Sequence, residues 1–96
     1  MELHAIILNV LKYTDKKTNK DKLRIGYILS DENSFQNTDK FKGYSELSYF
    51  CDDLELFQKI DKSFILNNCI FTFDEVSYPS NPLRKYLKLT DIRVGK

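Results

Sequence analysis

The stretch LKYTDKKTNKDKLRIGYIL, residues 11–29, sets two apolar segments on either side of a polar, strongly basic run. Leu23, Ile25, Tyr27 and Leu29 recur at every second position, and Lys22, Arg24, Gly26 and Ile28 fall between them. That is the period of a half-buried strand. Gly26 inside it marks a bulge, a bend, or a place where another backbone or a ligand comes close. On the other side, LHAIILNVLKY, residues 3–13, is apolar and partly β-branched. Its Leu and Ala would also suit a helix. No capping residue precedes it, however, and the polar run that follows reads as a hairpin connection, so a strand is favoured. The two strands form a hairpin over Thr14–Asp21, a long polar loop expected to be mobile.

Residues 31–43 read as a loop whose large apolar groups are Phe35 and Phe41. YSELSYFC, residues 44–51, alternates as a third strand, with Tyr44, Glu46, Ser48 and Phe50 on one face and Ser45, Leu47, Tyr49 and Cys51 on the other. DDLELFQKI, residues 52–60, reads as a short helix capped by Asp52 or Asp53, with Leu54, Phe57 and Ile60 on its apolar stripe. Residues 69–76 form a fourth strand, and the two prolines of residues 77–82 make a loop. Residues 83–94 form a fifth strand. Its apolar phase slips by one residue after Leu89, which implies a bulge near Thr90 and Asp91.

The expected order is therefore β-β-β-α-β-β in an all-β chain with one short helix. One domain over residues 1–96 suits a five-stranded Greek-key barrel of the OB-fold type, which often holds a helix in this place. An open five-stranded sheet with a packed helix is the structural alternative. A chain of 96 residues buries one modest core. No run approaches the ~20 apolar residues of a membrane span. The start, MELHAIILNVL, lacks a basic segment and a small-residue cleavage site, so a cytoplasmic protein without a membrane partner is expected.

No catalytic arrangement is visible. His4 is the single histidine, and there is no glycine-rich phosphate loop or nucleophile elbow. Cys51 and Cys69 with one His do not make a zinc site; they are expected to be reduced thiols, mostly buried. No metal, cofactor or enzymatic activity is expected.

The charge is segregated. Residues 12–24 carry Lys12, Lys16, Lys17, Lys20, Lys22 and Arg24 against Asp15 and Asp21, and residues 84–96 carry Arg84, Lys85, Lys88, Arg93 and Lys96 against Asp91. Between them, residues 31–61 are acidic, with Asp31, Glu32, Asp39, Glu46, Asp52, Asp53, Glu55 and Asp61 against three lysines. Proteins that hold single strands without reading sequence combine aromatic faces for the bases with cations for the phosphates. The candidate residues for that work are Lys12, Tyr13, Lys17, Lys20, Lys22, Arg24 and Tyr27 around the first hairpin, Tyr44 and Tyr49 in the third strand, and Arg84, Tyr86 and Lys88 in the last. Tyr27 shares its face with aliphatic residues and has a competing role in the core. Arg84, Tyr86 and Lys88 have no aliphatic neighbour on their stripe.

NNCIFTFDEVSYPSNPLRKYLKLTDIRVGK, residues 67–96, is similar to the final hairpin of small OB-fold single-stranded DNA-binding proteins of filamentous phages and of Gram-positive phages and mobile elements. LRIGYIL, residues 23–29, resembles their second strand. The resemblance implies a non-enzymatic, sequence-tolerant protein that coats single-stranded DNA, in preference to RNA, during replication or transfer; proteins of this group often act as homodimers. It places binding on Lys22, Arg24, Tyr27, Arg84 and Tyr86. The acidic middle and the net charge of +1 depart from the excess base usual in strong binders. The competing expectation is a protein-interaction module that uses the acidic central region or a sheet edge.

Overall fold

The structure, a computed structural model, describes residues 1–95; Lys96 lies outside the described residues. Seven strands, β1 (Glu2–Asp15), β2 (Lys20–Ile28), β3 (Phe35–Asn37), β4 (Lys42–Tyr44), β5 (Leu47–Cys51), β6 (Asn68–Tyr78) and β7 (Asn81–Val94), accompany one short helix, α1 (Glu55–Lys59). The five longer strands form one antiparallel sheet in the order β5-β2-β1-β6-β7, and β3 and β4 pair separately. The chain is thus β-rich with one short helix, as its periodicity implies.

Two bulges curl the main sheet. In β1 the register passes from Ile7↔Tyr27 to Asn9↔Gly26, leaving Leu8 unpaired. In β6 and β7 it passes from Thr72↔Asp91 to Phe73↔Leu89, leaving Thr90 unpaired where the apolar phase slips in the sequence. The Thr90 hydroxyl donates to the Thr72 carbonyl at 3.1 Å. An extra residue bends the bulged strand and raises its twist. The concave face that results carries Ala5, Ile7, Leu23, Ile25, Cys69, Phe71, Phe73, Leu89 and Ile92, with Leu56 of α1 and Phe64 completing the core. Among the described residues no ladder joins the edge strands β5 and β7. A side chain reaches between them instead: the Leu89 N–H donates to the Tyr49 hydroxyl at 3.2 Å.

Four local expectations are corrected. The first hairpin loop is not long, because the strands continue to Asp15 and Lys20. Asp15 accepts from the Lys17 N–H at 2.9 Å, Thr14 donates to Asp21 at 2.8 Å, and Asn19 takes the left-handed backbone (φ 57°) that closes the turn. Asn tolerates that conformation better than most residues, and short polar side chains hold such turns. Residues 44–51 are not one strand: Tyr44 ends β4, and pairing resumes at Leu47. The helix covers only Glu55–Lys59; Leu54 stands at its N-cap without a side-chain hydrogen bond, while Asp53 one residue earlier accepts from the Glu55 N–H. One turn and a half presents a single residue to the core, so Leu56 is buried while Leu54 and Phe57 are each 38% exposed. The last loop shrinks to Pro79 and Ser80, since Tyr78 pairs with Asn81. Pro82 falls where the register slips beyond Ser77, so the ladder does not need its missing N–H.

Candidate nucleic-acid interface

The first hairpin presents its polar stripe on the convex face. Register pairs Tyr13 with Lys22 and Leu11 with Arg24, and β5 adds Phe50 opposite Arg24. Paired residues share a face, so Tyr13, Lys22, Arg24 and Phe50 stand together, opposite the buried Leu23 and Ile25. Phe50 is 58% exposed, and its ring meets Tyr13 edge-on at 6.5 Å. The β6–β7 hairpin extends away from the core as an arm. Along it the Arg84 guanidinium lies 5.5 Å over the Tyr78 ring, and Tyr78 packs against Tyr86 at 4.7 Å. Leu83, near the tip, is 94% exposed.

Between the β5 edge and the root of this arm lies an open cleft of about 480 Å³. Tyr13, Lys22 and Phe50 line it from the convex face, and Tyr86, Lys88 and Leu89 from the arm. Tyr49, Cys51, Asp52 and Asp53 complete it where β5 runs toward α1. The cleft therefore draws on the first hairpin, the β5 edge and the last hairpin together.

The nearby bases are held by carboxylates. Lys22 Nζ lies 3.1 Å from Asp15. Asp15 is held below the ordinary carboxylate range by the Lys17 N–H and then by Lys22, and the Asp15 hydrogen bond raises Lys22 in turn. Arg24 reaches Glu46 at 3.1 Å and Asn9 at 3.4 Å. Gly26 makes room for this cluster, because a Cβ there would stand 2.6 Å from Glu46 Oε1 and 2.7 Å from Asn9 Oδ1. Burial pushes the thiols of Cys51 and Cys69 above their ordinary range. Both cysteines are free. Among the described residues no cluster of His, Cys, Asp and Glu is arranged to hold a metal ion. No helix among them is long and apolar enough to cross a membrane.

Of the candidate residues, Tyr13, Lys22, Tyr49, Tyr86 and Lys88 line the cleft. Arg24 adjoins it on the convex face across from Phe50, and Lys20 stands at the hairpin end opposite Asp15. Lys17 is exposed on the turn, and Arg84 sits farther out on the arm. Three candidates lie elsewhere. Lys12 pairs with Leu23, so it takes the concave side, and its ammonium caps the Phe57 ring at 5.5 Å. Tyr27 packs on Phe71 at 5.4 Å, as its aliphatic neighbours imply. Tyr44 belongs to the small β3–β4 sheet, where its ring meets Phe35 at 5.4 Å. Tyr49 has a divided role: its ring packs on Phe73 at 5.7 Å while its hydroxyl bridges to β7.

Five cleft residues were not among the candidates: Phe50, Cys51, Asp52, Asp53 and Leu89. Phe50 had a signal in the sequence. It shares a stripe with Glu46 and Ser48, and an aromatic ring on a polar stripe faces solvent. The two aspartates had none, because their place follows from where β5 ends rather than from their spacing. Comparison with protein-family models, with characterised proteins and with solved structures gives no match to this chain.

Proposed function

We propose that this chain is a non-enzymatic, sequence-tolerant single-stranded DNA-binding protein built on a partly open Greek-key barrel of the OB type. The observation that carries the reading is the cleft, where Tyr13, Phe50 and Tyr86 interleave with Lys22 and Lys88. Rings of this kind stack on bases, and cations around such a cleft follow the backbone. The strand order supports the barrel. Among the long strands, the first three lie side by side and the fourth returns beside the first, giving β6-β1-β2-β5, which is the Greek-key arrangement. The Tyr49–Leu89 bridge between the edge strands supports a barrel that is nearly closed. The resemblance of the final hairpin to phage proteins favours DNA over RNA, and a cytoplasmic role in replication or transfer.

Fluorescence anisotropy with labelled single-stranded oligonucleotides at about 50 and 200 mM salt tests the reading, because phosphate contacts make affinity fall with salt. Saturable binding that weakens with salt is expected. An absence of binding at the lower salt refutes it. A second reading, a protein-interaction module, is supported by the unpaired outer edge of β5, where Leu47 and Phe50 are exposed. A protein partner retained from cytosol after nuclease treatment, together with no oligonucleotide binding, would favour that reading.

A further inference from the structure

The cleft carries as much negative charge as positive, with Lys22 and Lys88 set against Asp52 and Asp53. A phosphate placed there would meet two carboxylates along with the two ammonium groups, and like charges at short range oppose its entry. Phosphates have better partners outside the cleft, at Lys16, Lys17 and Lys20 on the first hairpin and at Arg84 on the arm. What remains inside is a charge-balanced space walled by Tyr13, Phe50 and Tyr86. Its volume of about 480 Å³ lies within the range of small-molecule sites. Its acidic groups accept hydrogen bonds and cannot donate them. Asp53 already accepts from the Glu55 N–H at 3.1 Å. Asp52 is exposed and makes no hydrogen bond among the described residues.

We infer that the cleft takes one base of the bound strand rather than a phosphate, and that Asp52 selects a base carrying an exocyclic amino group. This rests on the nucleic-acid reading above. Cytosine, adenine and guanine each place amino hydrogens on an edge, and a carboxylate accepts from such a group directly. Thymine puts the O4 acceptor where cytosine has its amino group. Against Asp52 its O4 would set oxygen against oxygen at the position where cytosine donates. Stacking on the rings tolerates every base, so the strand is held generally while one position is read.

The experiment measures anisotropy of the full chain with labelled dC and dT 12-mers at pH 8, for the natural protein and for Asp52→Ala. The natural protein binds dC roughly five- to tenfold more tightly than dT, the discrimination of one good base contact. In Asp52→Ala the dC:dT ratio falls toward one, because dC loses the hydrogen bond to the carboxylate while dT is freed of its repulsion. A general loss of fold would weaken both oligonucleotides together and leave the ratio in place. Equal binding of dC and dT by the natural protein overturns the inference alone. So does a dC preference that survives in Asp52→Ala. Binding of neither oligonucleotide overturns the nucleic-acid reading, and this inference with it.

Discussion

Replacing Glu46 by Gln separates Arg24 as a phosphate contact from Arg24 as a structural partner. In the free protein its guanidinium is 3.1 Å from Glu46, and the two side chains are 31% and 43% exposed. A pair at that exposure is worth about 0.2–1 kcal/mol. A phosphate that recruits Arg24 must displace the carboxylate and gives back that much. Gln has the same shape and keeps an acceptor oxygen, so Gly26 and Asn9 are undisturbed, while the competing charge is gone. Binding of a single strand should therefore tighten roughly 1.4- to 5-fold. The slope of log affinity against log salt should steepen by up to about 0.7, one single-strand phosphate contact. Anisotropy titrations at four salt concentrations read both quantities, and a thermal melt limits any stability change to a few degrees. Unchanged or weaker binding, with an unchanged slope and a normal melt, would refute the assignment of Arg24 to the phosphate path.

Three other expectations follow from the same geometry. Phe50→Ala and Tyr86→Ala should each weaken oligonucleotide binding roughly 5- to 150-fold, the worth of one stacked base; because both rings are exposed, the melting temperature should hold, and a parallel fall in stability would reassign them to packing. Tyr27→Ala should do the reverse, costing about 3 kcal/mol in urea unfolding through the void left against Phe71, with the binding constant of the folded protein unchanged. Asp91 is held below the ordinary carboxylate range chiefly by its hydrogen bond to Lys59, and Glu2 chiefly by its hydrogen bond to Arg93. A lowered folded value means the stabilisation is present above the unfolded carboxylate range and is lost as pH falls through the lowered values. Melting temperature should then drop between about pH 5 and pH 2, and Asp91→Asn should flatten part of that drop; a profile identical to that of the natural protein would show that the pair adds nothing.

Alternation carries far in this chain because it is local. Leu23, Ile25 and Tyr27 reach the core as their period implies, and the slipped phase after Leu89 marks the bulge at Thr90. The bulge at Leu8 left no such mark, since the run Ala5-Ile6-Ile7-Leu8 is apolar on both faces and a slip among apolar residues changes no pattern. That hidden bulge is what moved Lys12. Its sequence neighbours make it part of a basic lip, but register with Leu23 turns it toward the concave side, over Phe57. A one-residue shift moves a side chain to the other face of the sheet, so a binding residue downstream of an unmarked bulge cannot be placed by counting.

The cleft itself is a tertiary product, and this explains why half of its working residues were unmarked. Tyr13 and Phe50 are distant in sequence and come together because β2 lies between their strands in register. Tyr86 and Lys88 join them across the cleft, at the place where the Leu89 N–H of β7 reaches the Tyr49 hydroxyl of β5. The spacing that can be read along one strand, Arg84-Tyr86-Lys88, identifies a stripe and says nothing about what stands across from it. What stands across includes Asp52 and Asp53, residues of the acidic middle segment that, by composition alone, argued against a nucleic-acid role. Set opposite two lysines and among aromatic rings, the same carboxylates have a use under the proposed reading that suits a nearly neutral chain: stacking and rim cations would supply affinity, and the charge-balanced interior would discriminate among bases.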